Sequence, residues 1–490
     1  MHLNYPVIIK VVALLTLIEG IAMLPCLVAA LAFDEWNAAG ALFTTSLVCL
    51  CAGFVIMTQL KFKKIRLKLH EGFLIACLSW VYCSIIGMIP FYFGGEDFPL
   101  IGCYFESVAG FTTTGCTVLD LNEMPRSLQL WRAVCHWLGG MGILVLVISI
   151  FPLLGIGGRS IASAEAPGPS FEKLGTKISD TGKYLYAIYI FFTAAEFLLL
   201  VLGPMDWFDA ITATFSSIST GGLIITDSNA DIYSNTYVRF IILIFTFLSS
   251  LSFLVYYMIL KGKWKEALSN IELKGFLFII SGTALLIALV LKITGTYANL
   301  WQAIKDSIFQ VVSIISTSGY YVCDYMEWPM FTQILLFMLM FVGGCSASTS
   351  GSLKVIRVIV LLKLIKRGIF KRIHPNSVKP IMLDQRPLTA AMASSIAMHI
   401  LLFFGVLVIS SIILSWDNLD METTISSAVG IFSNTGMALG EVGTSGYFGM
   451  YSGFSQFVLT VLMIAGRLEM YAIILLFSRS FWQLDKAKTI

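Results

Sequence analysis

Apolar residues run along this chain in long blocks, and polar residues collect in the short segments between the blocks. A helix that crosses a lipid bilayer needs about 20 consecutive, mostly apolar residues. Ten blocks approach or exceed that length, so the pattern predicts ten membrane spans and an all-α polytopic membrane protein. The predicted spans lie at about 7–32, 38–60, 71–94, 131–154, 184–203, 236–260, 275–294, 330–362, 391–415 and 454–481.

Four further apolar segments are too short to span a bilayer. They lie at 98–114, 206–220, 300–318 and 419–435. Each one ends in a turn of small polar residues and glycine. Irregular backbone at membrane depth is tolerated only where it is buried in protein or lines a watery cavity. We therefore expect four re-entrant segments.

The same order of elements recurs four times: a spanning helix, a short helix, a glycine turn and a second spanning helix. The turns are Thr113-Thr114-Gly115, Ser219-Thr220-Gly221, Thr317-Ser318-Gly319 and Asn434-Thr435-Gly436. One such turn is usually a helix C-cap, but glycines 106, 98 and 117 residues apart predict four copies of one pore-loop unit. The predicted units are an N-terminal helix pair at 1–65 and repeats at 66–175, 176–270, 271–385 and 386–490.

Turns of this composition suit a cation filter. A potassium ion that crosses lipid must exchange its water shell for fixed oxygens, which rings of backbone carbonyls supply in potassium channels. Glycine adopts the unusual φ/ψ values that inward-pointing carbonyls need. The partly negative C-terminal ends of the short helices would face the same cavity. The four turns are therefore predicted to form one pore with pseudo-fourfold symmetry.

Composition narrows the class of protein. The chain is 57% apolar and 12% charged, against roughly 25% charged residues in soluble domains. These values exclude a cytosolic enzyme, a secreted disulfide scaffold and a nucleic-acid binder. The sequence contains no CxxC pair, Walker loop, GxSxG or HExxH motif, so neither an enzymatic site nor a bound cofactor is predicted.

The placement of the charges predicts an orientation. Basic residues crowd the segments 61–68, 261–265, 363–372 and 479–488, while the loops on the opposite side are acidic or mixed. By the positive-inside rule, both termini face the cytoplasm and the short segments enter from outside. An acidic outer mouth favours cations.

Several stretches resemble the Trk/Ktr/HKT superfamily of potassium transporters, and the resemblance covers essentially the whole chain. They are FESVAGFTTTGCTVL (105–119), HWLGGMGILVL (136–146), FPLLGIGG (151–158), EAPGP (165–169), FVGGCSASTSGSLKVIR (341–357), HPNSVKPI (374–381) and AGRLEMYAI (465–473). The resemblance implies four pore-loop repeats in one chain behind an extra helix pair. It also implies that the four turns bind potassium, and that a glycine in each goes with potassium preference. Cys116 stands where alanine is common in the family.

The resemblance implies a gate as well. The small and polar stretch that contains Gly343, Gly344 and Gly351 and is followed by Lys354 would be an intramembrane loop that plugs the pore beneath the filter. The alternative is a locally unwound packing interface. Arg467 would stand beside this loop as an electrostatic barrier, because a central arginine needs a cavity or a partner rather than lipid. A partner from another repeat remains the alternative.

The predicted function is potassium uptake across the inner membrane, driven by the membrane potential, with potassium as the substrate. An ion-coupled symporter that uses protons or sodium on the same fold is the alternative. A transporter built from inverted repeats is disfavoured, because all four repeats share one orientation. The family implies a homodimer in the lipid bilayer and a cytosolic ring of nucleotide-binding RCK-type subunits. No nucleic-acid partner is expected.

Overall fold

A computed structural model describes residues 5–59, 65–66, 69–142, 156–157, 178–222, 226, 229–321, 323–376, 380–384 and 386–478. The α-helices of these residues are α1 (Tyr5–Ala32), α2 (Trp36–Gln59), α3 (Leu69–Gly94), α4 (Leu100–Phe111), α5 (Arg126–Gly140), α6 (Ile178–Val201), α7 (Trp207–Ile218), α8 (Ala230–Ser234), α9 (Thr236–Ser250), α10 (Phe253–Leu260), α11 (Trp264–Ser269), α12 (Ile271–Ile293), α13 (Leu300–Ile315), α14 (Met330–Val342), α15 (Val355–Ile373), α16 (Ala390–Leu414), α17 (Met421–Phe432), α18 (Gly453–Arg467) and α19 (Tyr471–Phe477). Short 3₁₀ turns occupy Tyr325–Glu327 and Ser415–Asp417.

Among the described residues, the named strands are each two residues long. The strands β1 (Ile65–Arg66) and β2 (Ile156–Gly157) pair in parallel, and β3 (Met382–Leu383) and β4 (Arg386–Pro387) pair antiparallel. The architecture is therefore all-α. It consists of a helix pair, α1 and α2, followed by four repeats of a long helix, a short helix and a second helix.

The long helices are apolar enough to cross a bilayer. In the described part of the chain, length and composition identify six such helices, namely α1, α2, α3, α6, α12 and α16. The helices α9 and α10 pass the same test together, but they are bent by 85° at the residues between them. The chain is a multi-pass membrane protein, as its composition predicts.

The structure differs from the predicted spans in the second helices of repeats two, three and four, each of which is broken. The expected break in the third repeat is present, at 343–354 between α14 and α15. The spans predicted at 236–260 and 454–481 are also broken, at 251–252 and at 468–470. A hydropathy window averages over gaps of two or three residues, so these breaks leave no signal. The helix α5 ends at Gly140, and 143–155 lie outside the described residues.

The short helices begin at capping side chains in three of the four repeats. Asp206 accepts a hydrogen bond from the backbone of Asp209, Asn299 from Trp301, and Asp420 from Thr423. Such caps satisfy the free N–H groups of a first helical turn. The helix α4 begins after Pro99 with no side-chain cap. The caps fix where each short helix starts, and thereby where its C-terminal end delivers the following turn.

Candidate functional site

The four short helices end in one shared backbone conformation. A right-handed C-cap residue is followed by a left-handed residue, and a glycine with positive φ stands two positions later. The C-cap residues are Thr112, Ser219, Ser316 and Ser433. The left-handed residues are Thr113 (φ 54°), Thr220 (54°), Thr317 (59°) and Asn434 (56°). The glycines are Gly115 (φ 80°), Gly222 (90°), Gly319 (70°) and Gly436 (72°).

This geometry corrects the predicted register of the second turn. Ser219 is the C-cap residue with φ −76°, and the left-handed residue is Thr220. The counterpart of Gly115 is therefore Gly222 rather than Gly221. The triplet that matches the other three is Thr220-Gly221-Gly222. Two adjacent glycines satisfy the same sequence pattern, and only the backbone distinguishes them.

The four turns meet in a closed ring, which we call the four-turn ring. A Cβ atom added to the last glycine of each turn would collide with or touch the carbonyl oxygen of the middle residue of the next turn. The pairs are Gly115 with Gly221, Gly222 with Ser318, Gly319 with Thr435, and Gly436 with Thr114. The order follows the chain and returns to the first repeat. Glycine is required at these positions both for its positive φ and for this close approach.

Hydroxyl pairs hold three of the turns. The C-cap hydroxyl lies within hydrogen-bond distance of the middle residue's hydroxyl in Thr112–Thr114 (2.8 Å), Ser316–Ser318 (2.7 Å) and Ser433–Thr435 (2.8 Å). The second turn has no such pair, because its middle residue is Gly221. The ring of His136 from α5 lies there instead, 2.8 Å from the position of a Cβ atom on Gly221. The ring is therefore fourfold in backbone but not in side chains.

A buried ion pair stands behind the first turn. Arg132 Nε lies 2.8 Å from Glu106 Oε2, and both side chains are 0% exposed. The Nη2 atom of Arg132 donates to the carbonyl oxygens of Gly115 (2.8 Å) and Cys116 (2.9 Å). The sequence-based site did not include Arg132. Its signal was a charge at the start of a predicted span, where a partner is expected.

The break in the third repeat forms a loop, residues 343–354, that lies against the four-turn ring. The Oγ1 atoms of Thr349 and Thr220 are 3.2 Å apart, and the Gly351 N–H donates to Thr317 Oγ1 at 2.7 Å. A Cβ atom on Gly351 would stand 3.0 Å from Asn434 Cβ. The loop thus contacts the turns of three repeats.

The same loop is hydrogen-bonded to the break of the second repeat and to α12. Cys345 N–H donates to the Ser250 carbonyl at 3.0 Å, and Phe253 N–H donates to the Ala347 carbonyl at 2.9 Å. The buried carboxylate of Glu272 accepts from both the N–H (2.7 Å) and the hydroxyl (2.8 Å) of Ser346. These bonds replace the helical bonds that the break removes.

The predicted gate residues lie at the ends of this loop. Gly343 has a φ of 71° and follows α14 directly, and a Cβ atom on Gly344 would collide with Ser350. Lys354, with a φ of 74°, precedes α15, and its ammonium group donates to the Ser350 carbonyl. The structure places these residues and Gly351 in the same loop.

Arg467 is the last residue of α18, and its guanidinium group connects three repeats. Nη1 donates to the Thr349 carbonyl at 2.8 Å, and Nη2 donates to the carbonyls of Gly139 (2.5 Å) and Gly140 (2.8 Å). The expected proximity of Arg467 to the loop is therefore present. Its acceptors are backbone carbonyls, whereas Glu469 pairs with Arg357 of α15.

A cavity of about 110 Å³ lies between the C-terminal end of α5 and the breaks of repeats three and four. Its lining includes Gly140, Ser350, Lys354, Arg467 and Glu469. Two of these side chains are cationic, and the one carboxylate is already paired with Arg357. A cation that entered this cavity would meet positive charge.

Comparison with known proteins places the chain in a family. The sequence model of TrkH, described as a cation transport protein, matches residues 39–484. The Trk system potassium uptake protein TrkH of Escherichia coli K12 is 32% identical over 491 residues, covering 98% of this chain and 100% of that protein. TrkG of the same organism is 30% identical over 468 residues, covering 95% and 96%.

A solved structure agrees. The crystal structure of the potassium transporter TrkH from Vibrio parahaemolyticus matches with a TM-score of 0.86 and 30% sequence identity, covering 98% of this chain and 100% of that one. The family is one of transporters and not of enzymes. The chain belongs to the TrkH family of cation transport proteins.

Proposed function

We propose that this chain carries potassium into the cell through the four-turn ring. The observation that carries the proposal is the closure of the ring: four turns with one backbone conformation approach one another in chain order. The relatives named as potassium uptake proteins support the same substrate. A cation crossing such a ring exchanges water for backbone oxygens.

The proposed filter consists of the four turns in their corrected register. It comprises Thr113, Thr114 and Gly115; Thr220, Gly221 and Gly222; Thr317, Ser318 and Gly319; and Asn434, Thr435 and Gly436. Ser219 is not part of the proposed filter, because it is the C-cap residue of α7. The C-terminal ends of α4, α7, α13 and α17 converge on the ring, and their partial negative charge favours a cation there.

The proposed gate is the loop at 343–354, with Gly343, Gly344, Gly351 and Lys354, together with Arg467. Its support is the set of bonds from Thr349 and Gly351 to two filter turns and from Arg467 to Thr349. Opening the path requires the loop to leave the ring, and Arg467 lies next to the path as a fixed positive charge. The hydrogen bonds between loop and ring then break together.

The proposed driving force is the membrane potential. An inside-negative potential of 100 mV supplies about 2.3 kcal/mol per elementary charge, which concentrates a monovalent cation roughly 50-fold. We place the chain in the inner membrane with both termini in the cytoplasm, as a homodimer under the control of a cytosolic ring of RCK-type subunits. The repeat boundaries that we propose are 66–175, 176–270, 271–385 and 386–490.

The first test is potassium flux through the purified full chain in lipid vesicles, read with a potassium-sensitive electrode. Gly115→Ala is expected to reduce the flux at least about tenfold, because the new Cβ atom collides with the Gly221 carbonyl at a positive φ that disfavours alanine. Gly405→Ala is the control, because open space surrounds that helical glycine. Normal potassium flux through Gly115→Ala would contradict the proposal that the four-turn ring is the filter.

The same vesicles separate a pore from the symporter alternative. A potassium pore gives a reversal potential set by the potassium gradient alone. A symporter gives one that also moves with an imposed proton or sodium gradient. We expect no such movement.

A further inference from the structure

We infer that Arg132, held by Glu106, is a positioning residue that fixes the carbonyl groups of Gly115 and Cys116 and so sets the preference for potassium over sodium. The inference rests on the proposed function and deepens it. Neither side chain belongs to the filter. The geometry nevertheless connects both of them to its first turn.

The guanidinium group of Arg132 acts on two consecutive peptide groups. Its Nη2 atom donates to the carbonyl oxygens of Gly115 and Cys116 at 2.8 and 2.9 Å. A peptide plane whose oxygen is held in this way cannot rotate without losing a charge-assisted hydrogen bond, which is about twice as strong as a neutral one. Arg132 therefore fixes the orientation of the peptide groups at the C-terminal end of the first turn.

The carboxylate of Glu106 completes the clamp, defined here as the pair Glu106 and Arg132. While Oε2 holds Arg132, Oε1 accepts from the Thr117 hydroxyl at 2.5 Å and the Val118 N–H at 2.9 Å. Thr117 N–H donates to the Gly446 carbonyl of the fourth repeat at 3.0 Å. The carbonyl groups of Gly115 and Cys116, the N–H and hydroxyl groups of Thr117 and the Val118 N–H thus all have partners.

General stability does not account for this arrangement. A buried ion pair often contributes no more to folding than apolar residues of the same volume, because both charges lose their hydration. Arg132 also leaves Nη1 without a hydrogen-bond partner among the described residues. A pair that contributes little to folding but holds the carbonyl groups of the filter residue Gly115 and of the next residue, Cys116, is better explained by the position that it enforces.

The clamp belongs to one repeat. Glu106 lies seven residues before Thr113, and the residues at the same distance in the other repeats are Ala213, Gln310 and Ser427. None of them is ionisable. The first turn therefore has formal charges behind it in addition to its hydroxyl pair, while the third and fourth turns have neutral hydroxyl pairs.

Selectivity follows from this rigidity. Sodium is smaller than potassium, so a ring that coordinates it must contract, and contraction requires the peptide groups to turn. A turn whose carbonyls are fixed from behind resists that movement, and the ring then favours the larger ion. Removal of the clamp should leave a path that still conducts but discriminates less.

The test is the ratio of potassium to sodium permeability, taken from reversal potentials of the full chain in planar bilayers. The variant E106Q/R132Q removes both charges together and leaves no unpaired buried ion. We expect its ratio to fall about tenfold, which is the effect of losing one hydrogen bond to a charged group. R132K retains the charge but not the planar fork, and its ratio should lie in between.

The matched control is Arg126→Gln at the start of the same helix. The Arg126 guanidinium packs over the rings of Phe33 and Phe208, with its carbon 5.0 and 4.8 Å from the ring centres. The ratio of potassium to sodium permeability of the Arg126→Gln variant should stay at the wild-type value. The ratio does not depend on how much protein inserts, so a merely structural role for Arg132 would leave it unchanged.

Each outcome decides one question. An unchanged ratio in a conducting E106Q/R132Q variant overturns the clamp and leaves the proposed function intact. If that variant does not accumulate in the membrane, R132K alone tests the clamp. An unchanged permeability ratio in R132K then overturns the clamp and leaves the proposed function intact. A wild-type chain that passes no potassium overturns the proposed function, and the clamp is rejected with it.

Discussion

At the scale of single residues, the ring is built on strained backbone. Thr113, Thr220 and Thr317 are β-branched residues with positive φ, a conformation that costs about 1–2 kcal/mol each. The side chains explain why glycine does not replace them all. Thr220 and Thr317 bind the loop at 343–354, and Asn434 donates from Nδ2 to Thr114 Oγ1 at 3.0 Å. Thr220, Thr317 and Asn434 thus make side-chain hydrogen bonds that a glycine could not make.

The corrected register of the second turn can be tested by rescue. Gly221→Ala and Gly222→Ala should each abolish potassium flux. The obstacle at Gly221 is the side chain of His136, whereas the obstacle at Gly222 is its φ of 90° and the Ser318 carbonyl. His136→Ala should therefore restore flux to Gly221→Ala and leave Gly222→Ala inactive.

His136→Ala alone is the reference for this comparison. Equal rescue of both alanine variants would contradict the register. Flux through Gly222→Ala without any second change would contradict it as well.

The sequence located the four turns but not the register of the second one. Small hydroxyl residues beside glycine were enough to find all four turns, because few residue types tolerate such backbone. The register of the second turn depended on which of two glycines takes positive φ, and that is decided by contact with Ser318 in another repeat. Arg132 was missed for the same reason, since its acceptors are carbonyls that the sequence does not display.

At the scale of elements, the broken second helices are the feature that the hydropathy pattern did not show. A break exposes carbonyl and N–H groups that need new partners. Arg467 supplies donors for Gly139 and Gly140, and the loop at 343–354 exchanges bonds with Ser250 and Phe253. Hydropathy predicts only the length of an apolar segment. It did not show the breaks, because the groups that satisfy their hydrogen bonds come from other repeats.

The attachment of the loop to α12 predicts a variant that leaks. Glu272→Ala removes the acceptor of the Ser346 N–H and hydroxyl, which leaves a buried donor unsatisfied. Hydrogen bonds to charged groups contribute about 1.5–3 kcal/mol. We expect basal potassium flux through the isolated chain to rise about tenfold.

Glu266→Ala is the control for this prediction, because Glu266 of the neighbouring α11 forms an exposed ion pair with Lys263. Such pairs contribute little, so its flux should equal that of wild type. If the basal potassium flux of Glu272→Ala equals that of the control, the hydrogen bonds between Glu272 and Ser346 do not hold the loop in place.

At the scale of the whole molecule, the ring closes within one chain. Four copies of a unit at similar spacing predicted this arrangement from the sequence, and the contacts run from each repeat to the next and back to the first. Symmetry of this kind is readable in a sequence because it repeats the same short pattern. The departures from this symmetry depend on side chains that occur in one repeat alone. Examples are the clamp in the first repeat and the second turn, which lacks the hydroxyl pair of the other three.

Closure within one chain predicts that each subunit of a dimer conducts by itself. Dimers that contain one wild-type and one Gly115→Ala subunit, isolated through a tag on each, should carry about half the potassium flux of wild-type dimers. The reason is that no turn of the ring comes from the partner. Loss of nearly all flux would instead indicate a path shared between the chains.

The broken helices also have a mechanical consequence. Between α9 and α10, between α14 and α15, and between α18 and α19, no continuous rod transmits force from one half of the molecule to the other. The half that contains the ring can stay rigid while the segments beyond the breaks rotate about them. The breaks are therefore positions at which the second helices of these repeats can bend.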